Sequence, residues 1–249
     1  MRTLLVTSAV TFVPKNYDAM VLAMAEEPSI VGLIVLENRS WKMYWQAIAL
    51  ILSLSSPRLG LQILINLMSF SNFRREVAYT QKGKHIWHLP SINSEQAHQI
   101  IKDHKIDLIV NCRTREIYSA KTLQAPSLGC INIHHGILPQ QKGLMCDFWA
   151  HLEGESFGFS IHQMTRKIDD GPVLEVVTTK SEGKNYLENI YLSSVLESQA
   201  CKKVIRQIQS TGQFPVEKRF SQDVYKKSTY RKNPGLLDGY KAQWKGIKI

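Results

Sequence analysis

The chain has 249 residues, 44% of them hydrophobic, with 31 Lys and Arg against 21 Asp and Glu and a formal net charge of +10. This is the make-up of a soluble globular protein with room for one sizeable domain plus an extension. It excludes a small disulfide-stapled scaffold: Cys112, Cys130, Cys146 and Cys201 form no CxxC pair and no zinc spacing, so reduced cytosolic thiols are expected.

Thr3–Ser8 reads as a buried first strand rather than a secretory signal, since Pro14 stands where a cleavage site would follow. A helix over about 16–25 ends at Glu26-Glu27-Pro28, and Ile30–Leu36 is a second strand. Strand, helix and strand with short joins predict a parallel sheet in a doubly wound α/β layer. The first turn, Thr7-Ser-Ala-Val-Thr-Phe12, lacks a glycine-rich phosphate cradle.

From Met43 to Phe73 the only charged residue is Arg58, and Pro57 divides the stretch in two. Neither half reaches the ~20 apolar residues that a transmembrane helix needs. The stretch reads as a helical pair packed on the sheet or on a second subunit. The competing reading is a pair of interfacial helices flanked by Trp41, Trp45, Arg74 and Arg75.

Ile86–Leu89 is a third strand, followed by a helix with Asn93 as N-cap and Gln96 at the capping-box position, running to about His104. Asp107–Asn111 and Gly129–His134 are the fourth and fifth strands. Gly143–Leu152 reads as a helix whose first-turn acid, Asp147, suits the helix dipole or a substrate amine. Phe157–Met164 and Val173–Thr179 are strands, with His162 read as structural. A long helix over about 185–208 carries the stripe Leu187, Ile190, Tyr191, Val195, Ile205 and Ile208. Beyond it the chain is polar and basic. Residues 214–249 hold nine Lys and Arg against Glu217, Asp223 and Asp238, a surplus that attracts phosphates or is merely solvated.

In the fifth strand Asn132 and His134 stand at period two among Cys130, Ile131 and Ile133, so both point to one side. Pro139 and Gln140-Gln141-Lys142-Gly143 then turn the chain into a loop. An amide donor beside an imidazole at a strand end suits a reaction in which an oxyanion develops. Asp169 or Asp170 could orient that imidazole and favour its charged form. The spacing of His134, His135 and His162 matches no zinc site, and no metal is expected.

The pattern Asn132-x-His134-x-x-x-Leu138-Pro139-x-x-x-Gly143, followed by Ile168-Asp169-Asp170-Gly171, resembles the folate-dependent formyltransferases. That family comprises glycinamide ribonucleotide, methionyl-tRNA and amino-sugar N-formyltransferases and formyltetrahydrofolate deformylase. The resemblance implies a doubly wound, mostly parallel, Rossmann-like α/β catalytic domain over residues 1–182 with a helical insertion at about 41–75. Residues 183–249 would form a C-terminal helix and basic extension. It implies transfer of a formyl group from 10-formyltetrahydrofolate to a primary amine of a small molecule. Asn132 would donate to the oxygen of the tetrahedral intermediate, a contact worth about 3–4 kcal/mol. His134 would stabilise the same oxygen or shuttle a proton, and Asp169, which matches the family frame, would stabilise the imidazolium. Arg115, Glu116, Ile117, Tyr118 and Ile168 would border the pteridine ring, with Asp147 and His135 on the acceptor. Asp170 and Gly136 depart from a small residue and a serine common at those positions.

A nucleotide-linked amino sugar is the first acceptor class, its diphosphate suited by the basic tail. Glycinamide ribonucleotide is disfavoured by the missing Gly-Gly turn. A methionyl-tRNA enzyme suits the charge, but some forty residues after the long helix are too few for that enzyme's further β-barrel. A deformylase shares the His-His pair and the Asp-x-Gly-Pro segment, while its usual N-terminal regulatory domain has no counterpart here. A non-catalytic membrane-surface or RNA-binding relative is the reading outside enzymology. A homodimer, a cytoplasmic location and a peripheral membrane contact through 43–73 complete the expectations, nucleic acid being the weaker partner.

Overall fold

Five apolar strands set the frame: β1 (Thr3–Ser8), β2 (Ile30–Leu36), β3 (His85–Leu89), β4 (Leu108–Cys112) and β5 (Gly129–His134). They pair in parallel, and β7 (Phe157–Gln163) and β8 (Val173–Thr179) extend the sheet antiparallel, in the order β3-β2-β1-β4-β5-β7-β8. The computed structural model describes residues 1–10, 14–37, 40–68, 72–179, 185–218, 220–221 and 228–247. Part of the first turn (Thr11, Phe12), the 182/183 boundary and the tail residues Arg219, Asp223, Lys226, Lys227 and Lys248 lie outside them.

Period-two alternation explains why both faces of the sheet are covered. Leu5, Leu33, Val35, Val110, Ile131 and Ile133 pack toward α1 (Pro14–Met24) and α8 (Tyr186–Thr211). Their neighbours Leu4, Val6, Ile34, Ile109 and Cys130 pack toward α5 (Glu95–Asp103) on the other face. Each such side chain contributes about 1.5–3 kcal/mol by leaving water.

Between β2 and β3 lie three helices, α2 (Trp41–Leu52), α3 (Pro57–Met68) and α4 (Asn72–Gln81). Pro57 starts α3, a position where its missing N–H costs no hydrogen bond. The α2–α3 pair packs internally through Met43, Ala47, Ile63 and Leu67. Among the described residues no helix is long and apolar enough to cross a membrane.

Several boundaries differ from the sequence reading. Ser94, not Asn93, caps α5, its side chain accepting from Ala97 N at 3.2 Å. Asn93 instead clamps the loop after β4, donating to Ile117 O at 2.9 Å and accepting from Ser119 N at 2.7 Å. Helix α7 (Cys146–Glu153) begins three residues late, because Gln141–Gly143 forms the short strand β6. On α8 the buried face around Glu197 is polar and Val195 is 39% exposed, since this part of the helix faces a charged cluster rather than the apolar core. The tail is more than a solvated extension: β9 (Thr229–Arg231) pairs with β6, and α9 (Leu236–Trp244) packs on the α2–α3 turn. A short helix α6 (Ala120–Gln124) completes the set described.

Candidate active site

Sheet register assembles the first cluster. Asn111 of β4 stands opposite Asn132 of β5, and Asn132 opposite His162 of β7, so three polar residues form one row across adjacent strands. Thr114 N donates to Asn111 Oδ1 at 3.2 Å, Asn111 Nδ2 to Asn132 Oδ1 at 3.0 Å, and Asn132 Nδ2 to His162 Nε2 at 3.1 Å. His162 Nδ1 then donates to Gln163 O at 3.0 Å, which fixes the tautomer. Burial, aided by the neighbouring His134, pushes the His162 imidazole down to about 4, so it is neutral and accepts from Asn132. His162, read from the sequence as structural, holds Asn132 in orientation and lies 3.7 Å from Asp169 Oδ1.

At the end of β5, His134 lies between two acceptors. Its Nε2 donates to Gln141 O at 2.7 Å, and its Nδ1 is 3.4 Å from Asp169 Oδ1. Both ring nitrogens thus face an oxygen acceptor. Asp169 Oδ2 accepts from Gly143 N at 2.9 Å, so β6 holds both halves of the pair, through the carbonyl of Gln141 and the N–H of Gly143. Strand β9 in turn holds β6: Thr229 N donates to Gln140 O at 2.8 Å and Leu144 N to Arg231 O at 2.9 Å. Asp170 points away and is taken by Lys142, leaving Asp169 as the carboxylate that reaches His134.

Gly136 has a physical counterpart here. A Cβ at this position would lie 2.7 Å from both His134 Nε2 and Gln141 O. The hydrogen bond between those two atoms occupies the space that a side chain at 136 would need.

A second, charged cluster adjoins the first. His135 Nε2 is 3.1 Å from Glu197 Oε1 and its Nδ1 is 3.5 Å from Asp147 Oδ2. Arg113 binds Glu197 through Nη2, which also reaches Ser194 Oγ at 2.9 Å. Tyr186 OH donates to Asp147 Oδ1 at 3.2 Å. Burial alone would raise the Glu197 carboxyl, but Arg113 and His135 outweigh it and bring the group down to about 2. Burial and Arg113 depress His135, yet Glu197 and Asp147 leave it raised. Two cations thus balance two anions. Arg113 (φ 61°), Met145 (φ 54°) and Asp169 (φ 51°) are all left-handed non-glycine residues beside this site, a costly conformation that packing must enforce.

Both clusters open on a cavity of about 510 Å³, within the usual size range of small-molecule sites. Asn132, His134, His135, Asp147 and Asp169 line it, as do Arg115, Glu116, Ile117, Tyr118 and Ile168. The structure brings every residue expected from the sequence to one cavity. Glu116 is also a structural anchor, accepting from Ile92 N and Asn93 Nδ2, both at 3.0 Å. Arg113, from the same loop, turns to α8. Ile117 and Ile168 are 65% and 46% exposed on the cavity wall, an apolar surface suited to a flat ring. Sequence reasoning missed Asn111 and Glu197. Asn111 carried a signal in its place near the end of a buried strand; Glu197, mid-helix, carried none.

The formyl transferase family model matches residues 55–193. The bifunctional polymyxin resistance protein ArnA of Wigglesworthia glossinidia brevipalpis is 35% identical over 88 residues, 35% of this chain and 14% of that protein. The methionyl-tRNA formyltransferase of Blochmanniella floridana is 36% identical over 95 residues, 38% of this chain and 29% of that protein. The matched stretch is thus less than a third of either relative. In fold, the chain is similar to a sugar N-formyltransferase from a Shewanella species (TM-score 0.59, 14% identity, 97% of this chain and 86% of that one). It is likewise similar to glycinamide ribonucleotide transformylase 1 from Symbiobacterium toebii (TM-score 0.59, 16% identity, 84% and 88%).

Proposed function

We propose, for a chain that belongs to the formyl transferase family, the transfer of a formyl group from 10-formyltetrahydrofolate to a primary amine of a small molecule. The observation that carries the reading is the meeting of Asn132, His134 and Asp169 at one cavity wall, 3.4 Å separating the imidazole from the carboxylate. The folate donor, when bound, supplies an electrophilic formyl carbon. Ile117, Tyr118 and Ile168 give its ring an apolar seat, and no metal is required by this chemistry.

Asn132 has one amide hydrogen committed to His162, which leaves the second for the oxygen that gains negative charge. The row from Thr114 to His162 holds that amide in one orientation, so little reorganisation is needed when the charge develops. His134 exchanges its bond to Gln141 O for the same oxygen, and Asp169 stabilises the charged ring while it does so. Gathering amine and acyl group in one cavity supplies the remaining advantage of proximity.

The acceptor we favour is a nucleotide-linked amino sugar. Its amine would lie near Asp147 and His135, and its phosphates at the rim, where Arg115, Arg166 and Lys167 are exposed and border the cavity. The test is to incubate the protein with 10-formyltetrahydrofolate and a panel of amines, including nucleotide-linked amino sugars, while following tetrahydrofolate release. Amine-dependent release supports transfer, and release without an amine would point to hydrolysis. No folate binding by calorimetry would end the reading.

A further inference from the structure

We propose that α2, α3 and α9 form a docking face for an anionic lipid surface. Each of these helices buries one side and leaves an apolar stripe on the other. On α2, Met43 and Ala47 are buried, while Trp41 and Trp45 are 81% and 68% exposed. On α3, Ile63 and Leu67 are buried, while Leu61 and Ile65 are more than half exposed. On α9, Leu237 and Trp244 are 73% and 89% exposed. The three stripes belong to one body: Gln243 Nε2 donates to Leu54 O at 2.8 Å and to Ser55 O at 2.7 Å, and Tyr240 OH binds Ser53 O. An apolar area of this extent on a water-facing surface marks an interaction site.

Charge selects the occupant. The only charged residues of α2 and α3 are Lys42 and Arg58, both exposed, and residues 41–68 contain no acid. On α9 the one acid, Asp238, is paired with Lys241 at 3.1 Å. A second copy of this face would bring like charges together across an apolar contact. An anionic headgroup layer meets the same charges favourably, at about fivefold in affinity per basic residue. Three of the chain's five tryptophans stand here, and the indole ring is suited to the headgroup level. The helices are too short to cross a bilayer, so the contact lies in the interface plane. Nothing in it depends on formyl transfer.

The full chain is sedimented with phosphatidylcholine vesicles, with and without phosphatidylglycerol, at low and high salt. Binding is expected only with phosphatidylglycerol. It should weaken at least about tenfold in the double variant Trp41→Ser/Trp45→Ser, and about as much in Lys42→Glu/Arg58→Glu. These positions are exposed, and near-ultraviolet circular dichroism checks that the variants stay folded. Failure to bind, or binding equally strong in the tryptophan variant (diffuse attraction by the +10 charge alone), overturns the proposal. So does a dimer, seen by sedimentation velocity, that the same substitutions dissociate.

Discussion

Gly136 is the residue whose identity most directly governs His134. With no side chain there, Gln141 O approaches the imidazole and takes the hydrogen bond from Nε2. Gly136→Ser would insert a Cβ 2.7 Å from both atoms, so the ring must leave Gln141 or the loop must move. We expect this variant to fold, to lose the signature of a bonded Nε2–H in imidazole ¹⁵N spectra, and to change formyl transfer at least about tenfold. An unchanged spectrum would show that the bond does not rest on the missing side chain. The roles proposed for the three central residues are tested by Asn132→Ala, His134→Ala and Asp169→Asn. Each should remain folded and lose on the order of 10²–10³ in turnover, read as tetrahydrofolate release with the acceptor present. Turnover close to that of the unaltered protein would remove the residue from the mechanism. At this scale the sequence was legible where a motif existed. Asn132, His134 and Asp169 could be named, while Asn111 and His162 could not be weighted, because only strand pairing sets them beside Asn132.

Among the elements, the two short strands β6 and β9 have more influence than their three residues each would suggest. The carbonyl of Gln141 and the N–H of Gly143 hold His134 and Asp169, and the tail holds β6 from its other edge. Gly143 is confined twice, by a φ of +97° and by Arg231 O, 2.2 Å from where a Cβ would stand. Gly143→Ala is accordingly expected to destabilise the fold by roughly 2 kcal/mol or more and to lower turnover with it. Thermal unfolding and the formyl-release assay read the two effects, and an unaltered melting temperature would argue that β9 is not seated there. Of the elements, β1, β2, β5 and β8 were legible to the residue, since long apolar runs bounded by turn residues leave little choice. The late start of α7 was not. Neither were β6 and β9, whose pairing joins segments some ninety residues apart in stretches with no periodicity of their own. Helix α9 has a short apolar stripe, but its partner is the turn between two other helices, which local pattern does not reveal.

For the molecule as a whole, the buried ionisable groups bias stability toward neutral pH. His162 is held at about 4 against an ordinary 6.5, so the unfolded chain takes up a proton between these values that the folded chain refuses. Stability therefore falls as pH drops through that window. Glu197, held at about 2 against 4.5, adds stability above 4.5 that is lost as pH falls toward 2. His135, raised in the fold, contributes most below its ordinary value and does not offset the loss due to His162. The melting temperature should decline steadily from about pH 6.5 to 4, with a shallower decline in His162→Gln. An identical slope in that variant would place the acid sensitivity elsewhere. The α/β class and the doubly wound order followed from the strand pattern, whereas the polar side of α8 appeared only once the helix lay against the 113 and 135 loops.

Asn132 sits on a strand paired on both edges, in the interior of a seven-stranded sheet. Strands β4 and β7 fix its neighbours on either side. The backbone partners of His134 and Asp169 belong to a three-residue strand whose other edge is β9, which is followed by α9 on the α2–α3 turn, so local opening of that short pair frees them without disturbing the main sheet. The two halves of the site therefore differ in what must open to disturb them: the central sheet for one, a pair of three-residue strands for the other.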